Sequence, residues 1–449
     1  MWIMDKKVIE MPQLSDGQRM SEALVWNRLI ESVPASYVVW KDGTTYYAEC
    51  LLKDGTDYSG TDASTIIQDA IDALGTVGGK IFIRRGQYAL TKIVTVPSKI
   101  IIEGEGRSYI DPESIDVTCL ADNSSFVPDS GESQLISIEN AWGTKLKNLL
   151  LKAHIGPIIS IIDSHGIVLE DLTINGCQRV PTGLKISATV GGGIYASTDI
   201  HLRNCLIHRC LYGVDIDGYT TESGTGQVTT VYVESGRIYD NRYGLNIKDA
   251  SGVNLDSTIV EANLGHGVIV QGTDKAKLTN VHFENNGRDF PAEYTIKTNA
   301  SADSGHSVDH LIVDKCRFGS AILTTEAKLL NVTRGYFEKN WFHNVNVNLN
   351  IDASCSDIYA EDNYFRGTIT GTINHSKGNI GYVTENSGNN TGTGAQQTIA
   401  HGLVSTPKLV TVIPNVTGAT VSSVWADATN IYCTVTNGKT YNWVATVQG

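Results

Sequence analysis

Between Thr144 and Phe365 the chain repeats one pattern of apolar and polar positions. Its copies read TKLKNLLL, IVLEDLTI, IHLRNCLI, VYVESGRI, VNLDSTIV, AKLTNVHF, LIVDKCRF, GYFEKNWF and IYAEDNYF. The fifth letter of each is a polar marker: Asn148, Asp171, Asn204, Ser235, Ser257, Asn280, Lys315, Lys339 and Asp362. Markers recur every 22 to 24 residues, with three longer steps that signal insertions. Two places before the marker stand apolar residues such as Leu202, Val233, Leu255 and Leu278. Three places after it stand Ile207, Ile238, Val260 and Phe283. Alternation with period two on each side of a polar corner predicts two short strands meeting at a bend. Coils stacked like on like, about 4.8 Å apart, enclose a continuous apolar interior. Side chains at the Asn-, Asp- and Ser-rich corner are suited to hydrogen-bond their own backbone and the coil above. A second Asn column follows six places after the marker, at Asn241, Asn263 and Asn286. The pattern predicts an all-β parallel β-helix; a leucine-rich repeat shares the period but needs a leucine spacing that is absent.

The flanks carry other patterns. TDASTIIQDAIDALGTVGG predicts an amphipathic helix capped by Asp62 or Thr61, with Ile67, Ile71 and Leu74 on one face and Gly75 at its end. Such a helix would cover the open edge of the first coil. Ser15–Val33 also reads as helical, with Ser15-x-x-Gln18 as a capping box. Beyond Gly378, ENSGNNTGTGAQQ has the composition of a linker, and KLVTVIP, NIYCTVT and YNWVATV alternate as strands of a small β-sandwich. The expected division is an attachment or assembly segment at 1–54, a β-helix at 55–377, a linker at 378–395 and a C-terminal sandwich at 396–449.

Composition narrows the function classes. A net charge of −13 and a pI near 5.3 argue against nucleic acid as a partner. No apolar run has the length of a membrane span, so no membrane insertion is expected, and the N-terminus shows no Sec signal pattern. Eight cysteines lack Cys-x-x-Cys or zinc spacing and are expected to be free thiols, mostly buried. No metal and no cofactor is expected. Asp215 and Asp217 in GVDIDG offer hard oxygens to Ca²⁺, but Lys248 stands one coil further on and would repel it.

The stretch TDASTIIQDAIDALGTVGGKIFIRRGQYALTKIVTVPSKIIIEGEG resembles the N-terminal cap and first coil of pectate-lyase-related proteins. These belong to the pectin-lyase-like superfamily of right-handed, single-stranded parallel β-helices, which includes polysaccharide lyases, glycoside hydrolases and viral tailspikes. The resemblance covers roughly residues 55 to 375. IAHGLVSTPKLVTVIP is similar to small β-domains that end viral tail-fibre proteins. Together these imply a homotrimeric virion or extracellular protein that binds a cell-surface polysaccharide, with cleavage left open. The alternatives are a lyase or hydrolase with a non-standard site, and a purely structural β-helix.

The polygalacturonase motifs of that superfamily map poorly. Its Asn-Thr-Asp falls on Cys210, Leu211 and Tyr212, and its Asp-Asp on Arg242 and Tyr243. Gly265-His266-Gly267 matches, and Thr295-Ile296-Lys297 keeps only the lysine. The acids needed for inverting hydrolysis are absent from those places. Tyr212, Arg242, Tyr243, His266 and Lys297 therefore form the candidate carbohydrate-binding set, walled by insertions near 218–227 and 287–308. Other carboxylates with catalytic potential are Asp215 and Asp217, and Glu234 and Asp256 on adjacent coils, where the neighbour spacing of about 5 Å suits a retaining pair. Tyr232, Tyr336 and Tyr359 flank that acidic column, which continues at Asp314, Glu338 and Glu361. A solvated charged face explains the column equally well. Trp142, Trp341 and Trp443 fit either core or sugar platform.

Overall fold

The computed structural model describes residues 35–52, 55–106, 118–122, 134–154, 156–177, 182–189, 197–218, 228–290, 293–302, 305–319, 323–344, 346–382 and 385–447. The expected Ser15–Val33 helix and almost all of the 218–227 insertion lie outside them.

Each coil contributes three short strands, and like strands pair in parallel from coil to coil. Among the described residues the three sheets have 15, 11 and 11 strands. The first sheet holds the strand before the marker and the second the strand after it. The third holds the strand that begins at Tyr212, Tyr243 or Val268. In the first sheet Leu202, Val233, Leu255 and Leu278 are register partners. In the second, Ile207, Ile238, Val260 and Phe283 are. All eight are buried. The second column continues as stacked rings, with centroids 4.9 Å apart for Phe283–Phe318, 4.3 Å for Phe318–Phe342 and 5.1 Å for Phe342–Phe365.

The marker turns the chain from the first sheet into the second within one residue. All nine markers have φ between 50° and 55°. This left-handed conformation brings Cβ close to the following carbonyl, and Asn and Asp tolerate it best. Backbone conformation, more than side-chain hydrogen bonding, therefore explains the corner's composition. Ser235, Ser257, Lys315 and Lys339 occupy it with less suitable side chains.

At the next corner the asparagines form a buried ladder. Cys210 N–H donates to Asn241 Oδ1 at 2.9 Å, Asn241 Nδ2 to Asn263 Oδ1 at 3.2 Å, and Asn263 Nδ2 to Asn286 Oδ1 at 2.8 Å. Each Nδ2 also donates to a main-chain carbonyl, of Ile207, Ile238 and Val260 in turn. Gly244 is required beside the ladder, because a Cβ there would stand 3.0 Å from Asn263 Nδ2 and closer still to the Gly267 carbonyl. A second ladder, Asn340–Asn363–Asn379, lies one residue past the marker and was not apparent from the repeat.

Helix α1 (Ala63–Leu74) caps the solenoid, with Ile66, Ile67, Ile71 and Leu74 buried. Asp62 is its N-cap, accepting from Ser64 N–H at 3.1 Å, and Gly75 follows at φ 48°. Tyr37–Asp42 and Thr45–Cys50, which fall inside the expected attachment segment, form a hairpin whose first strand pairs in parallel with Gly79–Ile83. The hairpin thus extends the first sheet and covers its opening edge. At the other end Glu385–Thr391, expected within the linker, is a strand paired along its length with Thr440–Thr446. Its outward positions are polar, and Gly388 is needed because a Cβ would meet Trp443 Nε1 at 2.6 Å. Two three-stranded antiparallel sheets there enclose a core that includes Ile431, Cys433, Tyr441 and Trp443. The eight cysteines are free, and five are buried.

Truncating Ile238 to Ala should cost about 2–5 kcal/mol, read as a lowered thermal midpoint. At the corners, Asn280→Val should destabilise by about 1–2 kcal/mol and Lys315→Asn should raise the midpoint, since on an exposed corner φ preference outweighs the solvent-screened contacts of Asn280 with Asp256 and Lys315 with Asp314. Equal midpoints for all corner variants would sink the left-handed explanation.

Candidate functional site

Tyr212, Tyr243, His266 and Tyr294 occupy equivalent places on four successive coils, just before the third-sheet strand. Their rings stack with centroid separations of 5.2, 5.9 and 5.6 Å. Parallel register forces this: Tyr212 pairs with Tyr243, and the backbone of each following residue bonds the next coil, as in Gly244 N–H to His266 O at 3.0 Å. Tyr212, Tyr243 and Tyr294 are partly exposed, and His266 is buried between them.

The insertion after Asn286 folds back over this corner. Gly287 N–H donates to Gly265 O at 2.8 Å, and Asp289 N–H to Leu264 O at 3.2 Å. This brings Phe290 under the Arg242 guanidinium, 3.4 Å from the ring centroid, and Glu293 to 3.9 Å from Arg242. Arg242 also lies 5.2 Å from the Tyr243 centroid. Lys297 follows on the third sheet in register with Ile269 and Lys328, and Lys328 sits 5.9 Å from the Tyr294 centroid.

His266 is buried and held at both nitrogens. Nδ1 accepts from Tyr294 N–H at 2.9 Å, and Nε2 lies 3.0 Å from Glu293 Oε2. That arrangement assigns the proton to Nε2 in the neutral ring. Burial, and then Lys297 with Arg242, push its pKa down to about 4. The Tyr294 main chain pulls the other way, but less strongly than burial, and a proton on Nδ1 would break the bond from Tyr294 N–H. The ring is neutral at pH 7. Burial, followed by Asp215, raises the Tyr212 phenol.

The five binding candidates thus fall along one run of coils, and Phe290, Glu293 and Tyr294 join them. Tyr294 had a readable signal. It stands two residues before Ile296, as Tyr212 stands before Val214 and Tyr243 before Leu245. Thr295 in place of the usual glycine hid it. Glu293 had none, because the insertion has no period.

The catalytic candidates are dispersed. Asp215 borders the ladder and accepts from Asn246 Nδ2 at 2.8 Å, and burial pushes its carboxyl up. Asp217 is 3.2 Å from Lys248 Nζ. Glu234 and Asp256 are register partners on the first sheet, on another face. Glu234 pairs with Arg203 at 3.1 Å, and Asp256 accepts from Asn280 at 3.3 Å. Tyr232 stacks on His201, and Tyr336 on Tyr359. Among the described residues no group of three or more His, Cys, Asp or Glu is arranged to hold a metal, and no helix is long and apolar enough to cross a membrane. Trp142 stacks on His165, Trp443 is buried, and Trp341 is exposed.

The described coils form a right-handed parallel β-helix. Residues 134–333 match the family described as right handed beta helix region. No curated protein matches the chain. Solved structures with a similar trace include the A-module of mannuronan C-5 epimerase AlgE6 of Azotobacter vinelandii, at 15% identity over 71% of this chain and 95% of that one, with a TM-score of 0.43. The tailspike protein gp49 of Acinetobacter baumannii bacteriophage Fri1, a capsular polysaccharide depolymerase, is 12% identical over 86% of this chain and 82% of its own, with a TM-score of 0.47. PfbA, a surface adhesin of Streptococcus pneumoniae, is 14% identical over 66% and 90%, with a TM-score of 0.45.

The depressed His266 pKa has a consequence for stability. A histidine held neutral in the fold contributes stability that is complete above its ordinary value of 6.5 and is lost as pH falls from there to about 4. His266→Tyr should keep the ring stack and flatten the thermal midpoint over that window relative to wild type. Parallel curves for the two proteins would mean that His266 is not held neutral.

Proposed function

We propose that this chain is a β-helical glycan-binding protein of the viral tailspike or tail-fibre kind, and that the ladder of Tyr212, Tyr243, His266 and Tyr294 receives a cell-surface polysaccharide. The observation that carries the reading is the stack, along successive coils, of the partly exposed Tyr212, Tyr243 and Tyr294 rings with His266 among them and Arg242 and Lys297 close by. An extended glycan advances by about one sugar for each coil spacing of about 4.8 Å, so each coil offers one set of polar contacts per sugar. Tyrosine suits that task, because it couples a rigid ring to a polar tip at little entropic cost.

Binding without cleavage follows from how the nearby acids are engaged. Glu293 lies between His266 and Arg242, and Asp215 accepts from Asn246. A hydrolytic reading rests on one observation, that burial favours the protonated form of Asp215 next to Tyr212 while Glu293 stands beside the same stack. Asp215 would then be the acid.

The test is affinity electrophoresis in gels containing acidic or neutral polysaccharides, with reducing ends and unsaturated uronate absorbance followed in the same mixtures. Retardation without new ends is expected, and Tyr243→Ala or His266→Tyr should weaken it by at least about 1 kcal/mol, roughly fivefold. Turnover abolished by Asp215→Asn would replace the binding reading with the hydrolytic one; no retardation in any gel would overturn both. The tailspike reading also implies a homotrimer, so light scattering should give a mass of about 146 kDa, three times the 48.6 kDa chain. A monomer at micromolar concentration would count against it.

A further inference from the structure

The second sheet carries a different surface, away from the ladder. His282, Arg317, Trp341 and Tyr364 are register partners on consecutive coils, and Tyr364 bridges to Ile380. Trp341 is 51% exposed and Ile380 62%. Trp341 stacks on His343 at 4.9 Å and meets the edge of Tyr364 at 5.4 Å. Beneath them the buried stack Phe283–Phe318–Phe342–Phe365 fixes the backbone that carries these side chains.

The charge here is unusual for this chain. Elsewhere on the same sheet Arg237 pairs with Glu261, and Arg288 lies 3.3 Å from Asp240. Arg317 and Arg366 are exposed and, among the described residues, neither has a carboxylate partner. Two uncompensated arginines therefore flank an open indole on a protein of net charge −13. His343 reports the local field. Burial, then Arg317, Arg366 and His282, lower its pKa, and its Nε2 is buried without a hydrogen-bond partner.

We propose that Trp341, Arg317 and Arg366 form a second glycan-binding surface, specific for a polysaccharide bearing carboxylates or sulfates. The indole takes the C–H face of a sugar ring, and the planar guanidinium forks take the acid groups of its neighbours. Side chains one coil apart along the axis suit an extended polymer. The net charge of −13 on the chain opposes the dense phosphates of a nucleic acid far more than the sparser acids of a glycan. This goes beyond the ladder reading, since it lies on another sheet and commits to an anionic ligand.

The experiment uses the full chain and three polymers, polygalacturonate, heparin and neutral dextran, each cast into electrophoresis gels at low and high salt, with a single-stranded oligonucleotide titrated in solution as a fourth probe. Retardation is expected with at least one anionic polymer, suppressed by salt, with none from dextran through this surface. Trp341→Ala and the Arg317→Gln/Arg366→Gln pair should each weaken anionic binding at least fivefold, and the arginine pair should also reduce the salt dependence. Both changes are on exposed positions, so thermal midpoints should stay near wild type. Tyr243→Ala, run alongside, separates the two sites. Loss with Trp341→Ala but not Tyr243→Ala sustains this surface while sinking the ladder. Several results would overturn the proposal: anionic retardation untouched by Trp341→Ala, no salt-sensitive retardation by either anionic polymer, or tighter binding to a single-stranded oligonucleotide. A Trp341→Ala variant with a lower assembled mass and unchanged binding would reassign the patch to contact between copies.

Discussion

Everything in this molecule depends on a corner turned by one residue. At each marker the chain passes from the first sheet to the second with φ near 50°, and successive coils superpose because each makes the same turn at the same place. A one-residue slip would send every inward side chain outward. The cost of placing Ser235, Ser257, Lys315 or Lys339 there, about 1–2 kcal/mol each at most, is small against the apolar columns that the corner keeps in line.

Register then decides what each column holds. Amides in line bond one another, as Asn241, Asn263 and Asn286 do, and a buried amide left unmatched would cost about 1–3 kcal/mol. The same alignment, a few residues further along each coil, stacks Tyr212, Tyr243, His266 and Tyr294 in a second column, where His266 is buried and the three tyrosines are partly exposed. The ring ladder and the amide ladder are two products of one geometry, which is why a Gly-His-Gly corner follows the asparagine of its own coil. His266 continues the ring column begun by two tyrosines and also forms a buried polar link to Tyr294 and Glu293.

Charge is distributed unevenly around the three faces. On the first sheet acids predominate and several meet a cation, as Glu234 meets Arg203. On the third, Arg242 and Glu293 sit within ion-pair range beside the ladder. On the second, arginines stand open beside an exposed tryptophan. An acidic β-helix thus displays surfaces of different chemistry at fixed angles on one rigid rod, and rigidity matters because immobilising flexible side chains on binding costs affinity.

The sequence by itself determined the coil. Polar markers at a steady spacing, between two apolar columns, fixed the stacking and the inward faces, since period-two alternation and identical repeats have few other solutions. It also carried the α1 cap with its Asp62, and the places of Tyr212, Tyr243 and His266. Tertiary structure decided what local pattern could not carry. Glu385–Thr391 became a strand because Thr440–Thr446 supplied its hydrogen bonds, not because its own composition asked for it, and Tyr37–Asp42, whose Tyr, Val and Trp favour a strand, joined the first sheet because Gly79–Ile83 offered it an edge. Tyr294 lost its signal when Thr295 replaced the glycine. Glu293 reached His266 only because an aperiodic insertion folded back on the preceding coil, and such a contact between residues 27 positions apart is written in no spacing.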